Sequence, residues 1–277
     1  KTDELNYLPD SPDNGNDFFR VAGIKLWHDG SPYTGTMYLQ APYLDSELSR
    51  RLGITPGHQG AALIETALLS SQIRRFHEAG WQLAIHSQGD ASNNEVIDLL
   101  NRLQLAEPDR RHRLEHGLLL PEQRMADLNQ WGLSPSFHIN HLWYYGDALS
   151  DALLGSQRTQ QILPVRSAFD FNLHPTLHAD SPMFPADPFS LMATAQQRQS
   201  RAGLAINSEQ SITAWQALQS MTINAAWQLK MEQDVGSIAV GKQADLVAVS
   251  ADPLQMDAEQ WRTIEVVDVW LGGRSLH

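Results

Sequence analysis

An α/β fold with a parallel sheet is predicted from three observations. Short apolar runs recur along the chain, helix-like patterns separate them, and each run ends on a side chain able to ligate metal or carry charge. Val21-Ala22-Gly23-Ile24 leads to Lys25, and Trp81-Gln82-Leu83-Ala84-Ile85 leads to His86. His116 closes Arg113-Leu114-Glu115, and Asp180 follows the run from Leu173 to Ala179. Alternating strand and helix units favour a parallel sheet with helices packed around it. Catalytic groups in such folds sit at the C-terminal ends of strands, so Lys25, His86, His116 and Asp180 are expected to converge. A lysine, two imidazoles and a carboxylate gathered there point to metal-assisted hydrolysis.

The elements follow in order. Residues 1–19 are polar and turn-rich and read as a loop. Phe18 to Trp27 reads as a buried strand ended by His28-Asp29-Gly30, and 31–59 as loop. Leu63, Ala67, Ile73 and Phe76 carry helical periodicity through Gly60 to Gly80. Trp81 to His86 is a strand, with Asp90 as N-cap of a helix from Ala91 to Leu105. Arg111 to His116 is a strand, Pro121 opens a helix to about Gln130, and Leu133 to Ile139 is a strand. Ser156 to Phe169 reads as helix, Phe171 to His178 as strand, and Asp187-Pro188 opens another helix. Two more helices are expected at Ser208–Gln219 and Thr222–Leu229. After Met231 the pattern changes: Ala244 to Val249 and Val266 to Leu271 read as strands of a β tail. About five strand–helix units result, too few to close an eight-stranded barrel.

Composition narrows the function. The chain has 277 residues, 42% hydrophobic and 19% charged, an ordinary globular balance. Its net charge of -12 argues against nucleic acid, which requires clustered Lys and Arg. With no cysteine, neither disulfides nor thiolate ligands exist, so any metal must bind through His, Asp, Glu or a modified Lys. No apolar stretch approaches the ~18 residues of a membrane span. The expected partner is a small-molecule substrate rather than nucleic acid or membrane, and the expected location is cytoplasmic.

Six segments together resemble one family. They are Gly23 through Ser31, Ile85-His86-Ser87-Gln88-Gly89-Asp90-Ala91, Arg113-Leu114-Glu115-His116, His141 through Asp147, Leu177-His178-Ala179-Asp180-Ser181-Pro182, and Gly236 through Val247. In this order they resemble the metal-dependent amidohydrolase superfamily, in the branch with N-substituted formamide deformylase and the YtcJ-like proteins. The resemblance implies a (β/α)₈ TIM-type barrel with a small β-sandwich built from both chain ends. It also implies a His-x-His pair on the first barrel strand, and this chain contains no His-x-His. The chain is therefore expected to be the C-terminal portion of a longer protein. Residues 1–231 would form a partial metallo-hydrolase barrel and 232–277 part of the sandwich. On this reading the chain alone is either a fragment of an enzyme or a catalytically silent piece. Open sheet edges would favour homo-oligomers.

The resemblance assigns roles. Lys25, His86, His116 and Asp180 become the metal ligands, holding one or two divalent ions, zinc foremost. Lys25 is either a carboxylated bridging lysine or an unmodified cation; a desolvated amine loses charge readily, which suits carboxylation. Asp180 becomes the proton shuttle. His141 sits in an aromatic loop with Trp143, Tyr144 and Tyr145, and His141, Tyr145 and His178 are expected to contact substrate. His178 stands two residues before Asp180, so a strand would point both to one side. His138 is a second-tier candidate, and Glu115 an outer neighbour of the ligands. The expected activity is hydrolysis of a non-peptide C–N bond in an amide or N-formyl compound. Ester or phosphoester hydrolysis on the same barrel is the alternative. The segment around Lys242 and Asp245 lacks the glycine spacing of a phosphate loop and reads as a turn and strand.

Overall fold

The computed structural model describes residues 11–12, 15–16, 19–105 and 108–276. Five parallel strands stand side by side in chain order: β1 Gly23–Trp27, β2 Gln82–Ser87, β3 Arg113–His116, β4 Ser134–Phe137 and β5 Thr176–Leu177. Ten α-helices are assigned among the described residues. α1 (Glu47–Arg51) and α2 (Thr66–Glu78) follow β1, α3 (Asp90–Leu103) follows β2, and α4 (Met125–Gln130) follows β3. α5 (Asn140–Ala148), α6 (Ser156–Thr159) and α7 (Val165–Asp170) lie between β4 and β5. α8 (Pro188–Gln197), α9 (Ala214–Met221) and α10 (Ile223–Gln228) come after β5. A separate antiparallel sheet holds β6 Leu246–Val249, β7 Val266–Leu271 and β8 Arg274–Ser275.

The register divides the large sheet into two unlike faces. Lys25 lies opposite Ala84, Trp27 opposite His86, His86 opposite Glu115, Glu115 opposite Ser136, and Ser136 opposite Thr176. Partners across a ladder point to the same side, so these residues share a polar face. Ile24, Leu26, Leu83, Ile85, Leu114 and Phe137 take the other face, where α2, α3 and α4 cover them with Leu69, Ile73, Val96, Ile97 and Leu128. Burying each of those aliphatic side chains contributes about 1.5–3 kcal/mol. The helices therefore anchor one face and leave the other for chemistry.

Several expected boundaries differ, each for a local reason. The first strand begins at Gly23, and Phe18 lies outside the described residues. Gly89, not Asp90, is the N-cap of α3; the Asp90 carboxylate accepts instead from the Gln40 and Ala91 amides. The helix read from Ser156 to Phe169 breaks into α6 and α7. Leu163 has φ +51°, and Pro164, which cannot continue a helix, follows it. The carbonyls freed there at Ile162 and Leu163 accept from the buried Arg198 guanidinium. The strand read from Phe171 shrinks to two residues, because Asn172 and His174 adopt positive φ and end the extended path. Residues 140–148, read as an aromatic loop, form α5 and run on as a π-helical turn over Leu149–Leu153.

The C-terminal stretch returns to the main body. Trp261 is fully buried, and the 3₁₀ turn carrying it (Ala258–Thr263) packs on α8. Arg262 stacks 3.8 Å over the Trp143 ring and donates to Ser190 and Thr194 of α8.

At the opposite end of the sheet from the strand C-termini, His112 is buried with both ring nitrogens engaged. Nδ1 accepts from the Leu83 amide at 2.9 Å, and Nε2 meets His77 Nδ1 at 2.9 Å. Burial, with the charges of His77, Arg110 and Lys230, pushes its pKa down to about 3. The unfolded chain takes up this proton near pH 6.5 and the folded chain does not, so stability falls as pH drops below about 6.5. The loss continues until pH nears 3. Between pH 6.5 and 5 this group alone removes about 2 kcal/mol. His112→Gln is expected to lose about 2 kcal/mol less than wild type over that interval, measured by urea unfolding at each pH. Equal losses in the two proteins would show that His112 does not carry the effect.

Candidate metal centre

The carboxyl ends of β2 to β5 bring five imidazoles together. The His86 and His116 ring centres are 4.3 Å apart, His116 and His178 5.0 Å, His138 and His178 5.0 Å, and His138 and His141 4.0 Å. His116, His178, Asp180, Lys25, Glu115 and Ser136 line one cleft of about 440 Å³. All four residues expected to hold metal thus meet at one rim.

Backbone conformation aims two of them. Period two would send His116 to the face opposite Glu115, against the helices. Its φ of +75° turns the chain at the strand end, and the ring enters the polar cleft. Asp180 has φ +52°. Non-glycine residues seldom hold such angles, which cost on the order of 1–3 kcal/mol and cluster at functional sites.

The donor set with the tightest geometry is His116, His138 and Asp180, whose ligand atoms all lie within 4.8 Å of one another. His138, a second-tier candidate from sequence, is a member of this set. It stands one residue past β4, three residues before His141 on α5, and this strand-end His-x-x-His spacing was the available signal. His116 Nδ1 and His138 Nε2 are buried without a hydrogen-bond partner. Native proteins pair nearly all such atoms, so two orphans facing one carboxylate suit a cation. The other His138 nitrogen bonds the Ala179 backbone, which fixes the ring. Burial first, and then neighbouring imidazoles, hold His116 and His138 far below the usual imidazole range. Both are therefore neutral and offer lone pairs. The residues fit a divalent ion.

His86 and Lys25 flank this set. His86 Nε2 lies 3.2 Å from the Gly30 carbonyl and 3.6 Å from Asp29, and burial pushes its pKa down to about 4. Two acceptors beside Nε2 place its hydrogen there and leave Nδ1 as the donor atom. Asp29 was not singled out from sequence. It is fully buried and accepts from the amides of Tyr38, Gln88 and Gly89. Burial lifts its pKa to about 6 against those bonds. Gly89 is required there, since a Cβ would overlap the Tyr38 carbonyl. Lys25 is exposed as a whole, but crowding around its ammonium lowers its pKa, opposed by Glu115 and Asp180. Its Nζ lies 5.6 Å from the Trp27 ring. Burial alone would raise the Glu115 pKa, but Arg113, donating at 2.7 Å, and Lys25 leave it lowered.

The substrate candidates divide. His178 lines the cleft with Nε2 unpartnered. His141 is held at both nitrogens, Nδ1 to the Tyr33 hydroxyl at 2.6 Å and Nε2 to the Gln88 amide at 3.2 Å. It has no free nitrogen for a ligand and instead braces the rim beside His138. Tyr145 packs at a tilt against Tyr33, ring centres 4.1 Å apart, and meets Phe184 at 5.8 Å, as part of an aromatic rim.

The sequence model of the amidohydrolase family matches residues 2–277. The chain belongs to the amidohydrolase family. Among curated relatives of this chain, N-substituted formamide deformylase of Arthrobacter pascens is 28% identical over 220 residues. That match takes in 78% of this chain and 40% of the relative. The putative amidohydrolase YtcJ of Bacillus subtilis is 22% identical over 267 residues, covering 94% and 48%. The fold is shared with an uncharacterized metal-dependent hydrolase from Pyrococcus horikoshii, at TM-score 0.75 and 22% identity, over 90% of this chain and 48% of that one. It is also shared with a zinc-bound adenosine deaminase from Xanthomonas campestris, at TM-score 0.56 and 21% identity, over 83% and 54%. The chain spans less than half the length of the curated relatives it matches.

Proposed function

We propose that this chain is the C-terminal part of a metal-dependent hydrolase acting on non-peptide C–N bonds, in amides or N-formyl compounds. The observation that carries the reading is the pair of buried, unpartnered imidazole nitrogens facing Asp180 at the strand C-termini of an amidohydrolase-family chain. The coverage of relatives supports the longer parent, with 1–231 as the later units of a (β/α)₈ barrel and 232–277 as a share of a sandwich. His116, His138 and Asp180 would hold the ion, with His86 and Lys25 adjoining it. A divalent ion such as zinc supplies positive charge that acidifies water, from a pKa of ~15.7 toward ~7.

The chain's own groups do the rest. An Asp180 carboxylate oxygen takes the proton of the attacking water and later delivers it to the leaving nitrogen. Glu115 and Lys25 set the charge at the cleft wall, while Asp29 and the Gly30 carbonyl orient His86. Small molecules are the proposed substrates. No helix among the described residues is long and apolar enough to cross a membrane. A cytoplasmic setting is part of the same proposal.

The test is a panel of amides, formamides, esters and phosphotriesters given to the full-length protein, with and without chelation. Hydrolysis of an amide or formamide, lost on metal removal and restored by zinc, is expected. Full activity in metal-free protein, or a preference for phosphotriesters, would overturn the reading.

A further inference from the structure

We propose that Arg262 is a positioning residue that clamps α5 to α8 and so fixes the cleft rim that follows Asp180. Its guanidinium lies 3.8 Å over the Trp143 ring of α5. The same group donates to the hydroxyls of Ser190 and Thr194 on α8, the second at 2.9 Å. Those two residues stand one turn apart, so their side chains share one side of the helix. Thr194 Oγ1 also donates to the Ser190 carbonyl at 2.8 Å. A planar guanidinium stacks through its face and donates from its edge at once, which an ammonium cannot do. Trp261, its fully buried chain neighbour, seats the turn that carries Arg262 on α8.

The clamp holds the stretch 181–187, which leaves Asp180, ends at α8 and lays Phe184 against α5. The buried Phe184 ring stacks on that of Tyr144 at 4.5 Å and meets His138 at 5.4 Å. Ala186, Pro188 and Leu191, from this stretch and α8, line the cleft, whereas Arg262 itself does not. If α5 and α8 part, Phe184 loses its aromatic bed, and this apolar wall moves with it. The donor set of His116, His138 and Asp180 has no contact with Arg262 to lose. Arg262 therefore acts on how the cleft holds a substrate, not on metal binding or proton transfer. Its kinetic effect rests on the proposed hydrolysis, and its effect on the rim does not.

The test uses Arg262→Ala and Arg262→Lys in the zinc-loaded full-length protein, with Trp143→Leu as a second way to open the clamp. Amide hydrogen exchange is read by mass spectrometry over 140–148 and 180–191, with α2 and α3 as the control. The Met183 amide bonds the Asp180 carbonyl at 2.9 Å and the Leu191 amide the Asp187 carbonyl at 3.1 Å, so both report on the rim. Arg262→Ala is expected to speed exchange over 180–191 by roughly 3- to 30-fold, the range of one part-buried cation–π contact, and to leave the control unchanged. Arg262→Lys should fall between it and wild type, and Trp143→Leu should reproduce it. With N-butylformamide as the probe substrate, KM should rise by a similar factor while kcat stays within about twofold and zinc content is unchanged. The double variant should be no worse than either single one, as for two halves of one contact. Exchange that rises equally in the control, or only over 258–263, overturns the proposal, since Arg262 would then serve general stability or its own turn. An unchanged KM beside measurable turnover overturns it as well. If no amide or formamide is hydrolysed, the proposed activity is refuted, and the exchange result alone decides the clamp.

Discussion

Asp180→Asn in the full-length protein is expected to lower turnover by about 10³-fold, within the 10²–10⁴-fold that positioned proton transfer contributes. The substitution removes a proton acceptor and little else. Asparagine tolerates the positive φ found at Asp180 as well as aspartate does, so the strand end keeps its path. An amide oxygen takes the place of one carboxylate oxygen, and His116 and His138 remain. Metal content by mass spectrometry should therefore stay near wild type while the rate collapses. Alanine would be a poorer probe, because it also removes the ligand atom and disfavours the left-handed backbone. Turnover close to wild type in Asp180→Asn would remove Asp180 from the chemistry.

His138→Leu should weaken metal affinity by more than about 100-fold, beyond the 10–100-fold typical of residues that only orient ligands. Leucine removes the unpartnered Nε2 and also the bond to the Ala179 backbone, so the metal-free protein should lose roughly 1–3 kcal/mol of stability. His141→Leu provides the contrast. Its nitrogens already serve Tyr33 and Gln88, so that change should leave metal affinity within about tenfold of wild type. It should lower stability by roughly 1–3 kcal/mol, because two buried polar groups lose their partner. Metal affinity, rather than stability, is thus what separates the two variants. Metal retained by His138→Leu would return the third ligand position to His86.

The legible parts of the site were those where strand ends coincide with chemistry. Lys25, His86, His116 and Asp180 each close an apolar run, and the structure brings all four to one rim. The strand–helix alternation was legible because the helix-facing residues Ile24, Leu26, Leu83, Ile85 and Leu114 are apolar. α5 was missed although Leu142, Leu149 and Leu153, all buried, repeat at helical spacing. The surrounding Trp143, Tyr144 and Tyr145 drew attention to loop-like recognition instead. With α5 went the chance to see His141 as a brace fixed by Tyr33 and Gln88, residues distant in the chain.

Sequence by itself determined the family, the order of parallel strand–helix units, the β tail and the residue types able to bind metal. These follow from local apolar patterning and from motifs written along the chain. Tertiary structure alone decided which of those residues form a donor set. The left-handed turn at His116 redirects a side chain that a two-residue period would have sent against the helices. Whether an imidazole has a free lone pair depends on what its other nitrogen meets, and those partners come from other strands and loops. The Ala179 backbone occupies one nitrogen of His138 and leaves the other unpartnered, whereas protein groups occupy both nitrogens of His141. Hydrogen-bond satisfaction in a packed interior is a property of neighbours in space, and linear order does not encode it residue by residue.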